Sequence, residues 1–126
     1  MLNLKEYNKN KDIKKYIQKM FEARHVAHNV HLKTKSYSQH VALNSFYENL
    51  LEMIDDFVET YQGQYGIVSD IDFSTQPVEN IVEYLEEFCS LTKSARESLK
   101  ESHLQNMLDE ILSLAYKTIY KLKYLV

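Results

Sequence analysis

Only three residues in this chain readily interrupt a helix, Gly63, Gly66 and Pro77, and all three fall in one stretch. Glycine and proline are the strongest local punctuators of a chain, and strand-rich folds need many of them at turns. Their scarcity on both sides of this stretch predicts long helices with one extended central connection. Apolar spacing agrees. Ile13, Ile17, Met20 and Ala27 recur at three- and four-residue intervals, and so do Leu43, Phe46, Leu50, Met53, Ile54, Phe57 and Tyr61, the pattern of a helix with one buried face.

The expected layout follows from these signals. Residues 1–11 (MLNLKEYNKNK) read as a flexible polar tail, and residues 12–126 as a single domain. Asp12 caps a first helix from about Ile13 to Lys35, and Ser36 or Ser38 caps a second. Gly63 and Gly66 end the second helix. A connection over Gln62–Gln76 leads to Pro77, at a natural first helical position. A third helix fits Val78 to Leu91 and a fourth Ala95 to Tyr124, with their boundary near Thr92–Ser98 left open. The fold class is therefore all-α: a four-helix bundle with one long crossover connection between the second and third helices, the ferritin-like connectivity.

Composition limits the function classes. The formal net charge of −3 gives no global attraction for nucleic acid or acidic membranes. The single cysteine, Cys89, cannot form an internal disulfide, is expected to be buried and inert, and suits a reducing cytoplasm. No apolar run approaches the roughly 20 residues of a membrane span, so a cytoplasmic protein with no membrane partner is expected. Lys5, Lys9, Lys11, Lys14 and Lys15 offer nonspecific DNA contact, but Glu6 and Asp12 dilute them, and an ordinary solvated segment is the expected reading. There is no phosphate-cradling glycine loop and no nucleophile–base arrangement.

One spacing carries chemistry: His28, His40, Asp55 and Glu59. Imidazole and carboxylate together suit Fe²⁺, Mn²⁺ or Zn²⁺. Asp55 and Glu59, four apart on a helix, point to the same side. At about 1.5 Å rise per residue, His40 and Asp55 stand roughly 22 Å apart on one rod. A single ion can touch both only where two copies of that rod lie antiparallel, so the set predicts a site shared across a two-fold dimer interface. With His40 at zero and about 100° per residue, Asp55 falls near 60° and Glu59 near 100°, well away from the apolar face. Leu51 and Val58 border this stripe and are expected to be exposed in a lone subunit. His31 is expected to be a core or interface histidine, and His103 a surface residue. Glu83, Glu86, Glu87, Asp109 and Glu110 are read as solvated faces, because no Glu-x-x-His pair is present to make them a di-iron site. The tyrosines of the last helix (Tyr116, Tyr120, Tyr124) are expected to pack at interfaces.

On these four positions the chain resembles Dps, the DNA-binding protein from starved cells, a miniferritin of the ferritin-like superfamily. In that family a His ends the first helix, a second His follows twelve residues on, and Asp-x-x-x-Glu comes fifteen later. The strings HLKTKSYSQH (31–40) and ETYQGQYG (59–66) also resemble a phage-encoded branch of that superfamily. The resemblance implies a ferroxidase centre between two-fold-related subunits, with His28 and His40 from one chain and Asp55 and Glu59 from the other. It further implies Fe²⁺ oxidised by peroxide or oxygen, and iron stored in a hollow dodecamer, with no catalytic residues beyond the metal ligands. Three features depart from the family. Asn44 stands where an acid is usual. Asn29 replaces the Trp that follows the first His, with Tyr37 and Tyr47 as substitutes. The chain is short and its connection shows no small helix, which departs from what the usual dodecamer contacts need. The alternative is a non-catalytic helical-bundle interaction protein that keeps the scaffold without the iron chemistry.

Overall fold

A computed structural model describes residues 4–126, and the side chains of all of these except residues 5–9. Four helices account for the regular structure among the described residues: α1 (Leu4–Lys33), α2 (Tyr37–Tyr65), α3 (Ile81–Ser98) and α4 (Ser102–Tyr124). Helix α1 packs on α2 and α3, and α4 packs on α2 and α3. The pairs α1/α4 and α2/α3 are therefore the diagonals of the bundle.

Side-chain bonds fix the directions. Glu22 accepts from Tyr84 Oη at 2.9 Å and Tyr16 Oη meets Thr92 Oγ1 at 2.8 Å, so α1 and α3 run antiparallel. Arg96 forks onto Asp109 at 2.6 and 3.3 Å, and Lys123 lies 3.8 Å from Glu86, so α3 and α4 are antiparallel too. His28 stacks on Tyr47 and Tyr61 Oη donates to Asn10 Oδ1, which makes α1 and α2 antiparallel. His103 Nε2 meets Gln64 Oε1 at 3.0 Å where the start of α4 touches the end of α2. Every neighbour is antiparallel, and the α2/α3 diagonal is parallel. The chain must then return the length of the bundle between α2 and α3. It does so along α1. Lys14 Nζ donates to Ser69 Oγ at 2.9 Å, Phe73 stacks on Phe21 and meets His25 edge-on, and residues 75–78 line a cavity with Val26, Val30 and Lys33. This is the single-crossover bundle expected from the sequence.

The core is the one that the periodicity marked out. Leu43, Phe46, Leu50, Ile54, Phe57 and Tyr61 from α2 are buried against Ile13, Ile17 and Met20 of α1, Leu85 and Phe88 of α3, and Leu104, Leu108 and Ile111 of α4. Cys89 is buried as expected. Val58 packs against this core and Leu51 is half-buried, so neither is the exposed border expected of a lone subunit.

Element ends differ from expectation in four places. Helix α1 does not start at an Asp12 cap: residues 4–11 of the expected tail are helical, and residues 1–3 lie outside the described residues. Lysine and glutamate are good helix formers, and the Tyr61–Asn10 bond ties this extension to the end of α2. Gly63 is helical, and α2 stops at Gly66, whose φ of 96° suits only glycine without strain. Pro77 lies in the connection; the cap of α3 is Asn80, whose side chain accepts from Glu83 N at 3.1 Å. Helix α3 continues to Ser98, and α4 starts at Ser102 after the buried, extended Leu99. Of the two candidate caps for α2, Ser36 is the one used: it accepts from Gln39 N at 3.2 Å, while Ser38 Oγ bonds to Ser36 Oγ. No described helix is long and apolar enough to cross a membrane.

Candidate functional site

The tight α1–α2 turn brings three histidines to one end of the bundle. His31 and His40 stack face to face with ring centroids 3.6 Å apart. Each is bonded to the other's backbone: His31 Nδ1 to His40 O at 2.7 Å, and His40 Nδ1 to His31 O at 2.8 Å. A carbonyl oxygen only accepts, so both Nδ1 atoms carry hydrogen, and in the tautomer this fixes, the lone pair is on Nε2. A ring N–H fixed on a backbone carbonyl, with the other nitrogen free, is the arrangement that orients metal-binding histidines.

His28 stacks on Tyr47 with centroids 4.1 Å apart and lies 5.9 Å from His31. The Arg24 guanidinium lies 5.9 Å from the centroid of the Tyr47 ring. Desolvation first, and then the nearby Arg24 guanidinium, lower the His28 imidazole below its ordinary value and favour its neutral, donor form. His28 and His40 are thus joined through His31, which touches both. The intervals alone did not single out His31 as part of this group, although its three-residue offset from His28 places both on one side of α1.

The carboxylates sit elsewhere. Asp55 and Glu59 are exposed on α2, with no hydrogen bond or ion pair to another described residue. About 15 residues of helix, roughly 22 Å, separate Asp55 from His40. Accordingly, no cluster of three or more His, Cys, Asp or Glu placed to hold a metal occurs among the described residues of one chain. As donors the four residue types suit Fe²⁺, but within one chain the imidazoles lie at one end and the carboxylates toward the other, so the four do not meet. Asn44 Oδ1 accepts from Tyr47 Oη at 2.7 Å. Its amide oxygen is engaged with the stacking partner of His28. His103 bonds Gln64 at the far end of the bundle, away from this group. Of the acids read as solvated, Glu83, Glu86, Glu87 and Glu110 are exposed, while Asp109 is half-buried in its fork with Arg96.

Comparison with known proteins gives one informative relative. An uncharacterised 14.6 kDa protein from the mobD–ri intergenic region of Enterobacteria phage T4 is 27% identical over 110 residues, covering 85% of this chain and 84% of the phage protein. No solved structure matches. A family model does match residues 31–122, from His31 through His40, Asp55 and Glu59 to the last turn of α4. By that match the chain belongs to DUF5856, a family of unknown function.

Proposed function

We propose that two copies of this chain bind Fe²⁺ between them, with the His28/His40 end of one copy facing Asp55 and Glu59 of the other, and that the bound iron is oxidised and sequestered. One observation carries the reading: His40 presents an Nε2 oriented by its own Nδ1 bond, on the same α2 that displays two unpartnered carboxylates one turn apart. Divalent iron accepts mixed nitrogen and oxygen donors. Two-fold antiparallel pairing of α2 brings an imidazole end opposite a carboxylate end twice per dimer.

The chemistry balances with peroxide as oxidant. Two Fe²⁺ each give up one electron, and these with two protons convert one hydrogen peroxide to two waters. The protein's part is to hold iron where peroxide reaches it and to keep the ferric product from solution. Tyr47, stacked on His28, is the aromatic placed to relay an electron in place of the absent Trp.

The test is anaerobic Fe²⁺ titration followed by native mass spectrometry and elemental analysis. Saturable binding at about one pair of irons per dimer supports the reading. Iron content that is substoichiometric and unchanged by His40→Ala defeats it. A second reading is favoured by Asn44, a neutral amide whose oxygen is already engaged by Tyr47 Oη and brings no charge to a further iron. Under it the bundle is a non-catalytic interaction protein, and purified dimers carry no bound iron after titration.

A further inference from the structure

The groove between α2 and α4 is polarised. At one end Lys121 borders an open apolar pocket of about 500 Å³ with Tyr37, Val41 and Leu125. Tyr37, Val41 and Leu125 are exposed in the chain as it stands. At the other end Asp56 and Glu110 border a pocket of about 220 Å³ floored by Met53 and Met107. The charges along the two helices follow the same division. Helix α2 carries Glu48, Glu52, Asp55, Asp56 and Glu59 and no lysine or arginine, whereas residues 111–126 carry Lys117, Lys121 and Lys123 and no acid. Lys123 is engaged with Glu86 of α3; Lys117 and Lys121 are exposed.

We infer that this face pairs with the same face of a second copy, antiparallel, so that Lys117 and Lys121 of each chain meet Glu52 and Asp56 of the other. A surface that is basic and apolar at one end and acidic and apolar at the other is complementary to itself under a two-fold axis. The register agrees. Lys121 lies level with Val41 across the groove, and Met107 level with Met53. The axis then crosses α2 near Glu48, which sets residue 40 of one copy beside residue 56 of the other. Lys117 and Lys121 are one helical turn apart, as are Glu52 and Asp56. The same rotation lays Val41 level with residue 55 of the mate's α2, close to the mate's Met53. A face roughly 35 Å long and 20 Å wide covers about 700 Å² per chain, close to the roughly 800 Å² of a standard interface. Glu48 beside the axis is the one like-charge meeting.

The pairing needs no metal, so it is tested in chelator. Sedimentation velocity in EDTA at low salt should show a dimer that weakens as NaCl is raised. Two double variants, K117E/K121E and E52K/D56K, should each raise the dimer dissociation constant about tenfold or more, because each replaces attraction with repulsion at both ends of the interface. Mixed in equal amounts they should restore the dimer, since residues 117 and 121 of each chain again meet residues 52 and 56 of opposite sign. Glu48→Gln should tighten it. All five substituted side chains are exposed, and unchanged helical circular dichroism confirms folding. A wild-type monomer at low salt, reversed variants that dimerise like wild type, or a mixture that stays monomeric overturns the inference. Failure of iron to bind the intact dimer counts against the metal reading alone.

Discussion

The histidine clasp at the α1–α2 turn gives a measurable stability effect. In His31→Phe, a planar ring of similar size still stacks on His40, where the native centroids are 3.6 Å apart. The Nδ1–H bond to His40 O is lost, while the bond from His40 Nδ1 to the backbone of residue 31 remains. The His40 carbonyl also lies in the first turn of α2 and keeps its helical partner, so no buried acceptor is orphaned. The expected loss is one net hydrogen bond, about 1 kcal/mol. For a chain of 126 residues, an unfolding entropy of about 2.1 cal/mol/K per residue makes that a drop of about 4 °C in Tm. His31→Ala removes the bond, the stack and the buried imidazole volume together, and should cost about 2–4 kcal/mol. Urea and thermal unfolding followed by circular dichroism, at a pH where the rings are neutral, separate the two. Equal Tm for both variants, or a rise in His31→Phe, refutes the clasp.

Further outcomes follow from buried groups. Thr92 Oγ1 donates to Phe88 O at 2.8 Å, so in its pair with Tyr16 the phenol must be the donor; a double-mutant cycle of Tyr16→Phe and Thr92→Val should give a coupling of about 1 kcal/mol, and a coupling near zero would remove this bond from the account. Burial pushes the Cys89 thiol up to about 11, so folded protein should not react with a thiol reagent at pH 8, while unfolded protein reacts fully. His28, held below its ordinary value chiefly by desolvation, binds fewer protons folded than unfolded just below about pH 6.5. Stability of metal-free protein should therefore fall as pH drops through that window, and His28→Gln should reduce the slope. Equal slopes in the two proteins would contradict it.

Much of the fold is legible in the residues because it rests on period and punctuation. Three helix breakers in one stretch mark the crossover, and six of the seven apolar side chains marked on α2 are buried, Met53 being partly exposed. The ends are less legible because they depend on tertiary partners. The early start of α1 is tied down by Asn10 on Tyr61, fifty-one residues away. The α3–α4 turn needs neither glycine nor proline, because Leu99 is held extended by its own burial and Gln105 Nε2 donates to its carbonyl at 2.7 Å. At the site, the spacing marks His28 and His40 as neighbours across a turn. It does not reveal that His31 is stacked on one and in contact with the other, because that depends on ring orientation. Nor does periodicity foresee the partial burial of Val58, which packs against the core from the flank of α2.

The shared site is tested most directly by mixing two defective chains, His40→Ala and Asp55→Asn/Glu59→Gln. Each alone lacks one half of every site and should bind no Fe²⁺ in anaerobic titration. In the mixed dimer, one site combines the intact imidazoles of one chain with the intact carboxylates of the other, so one site per mixed dimer should return. Binding that stays absent in the mixture, or that survives in either variant alone, contradicts a metal held between two copies.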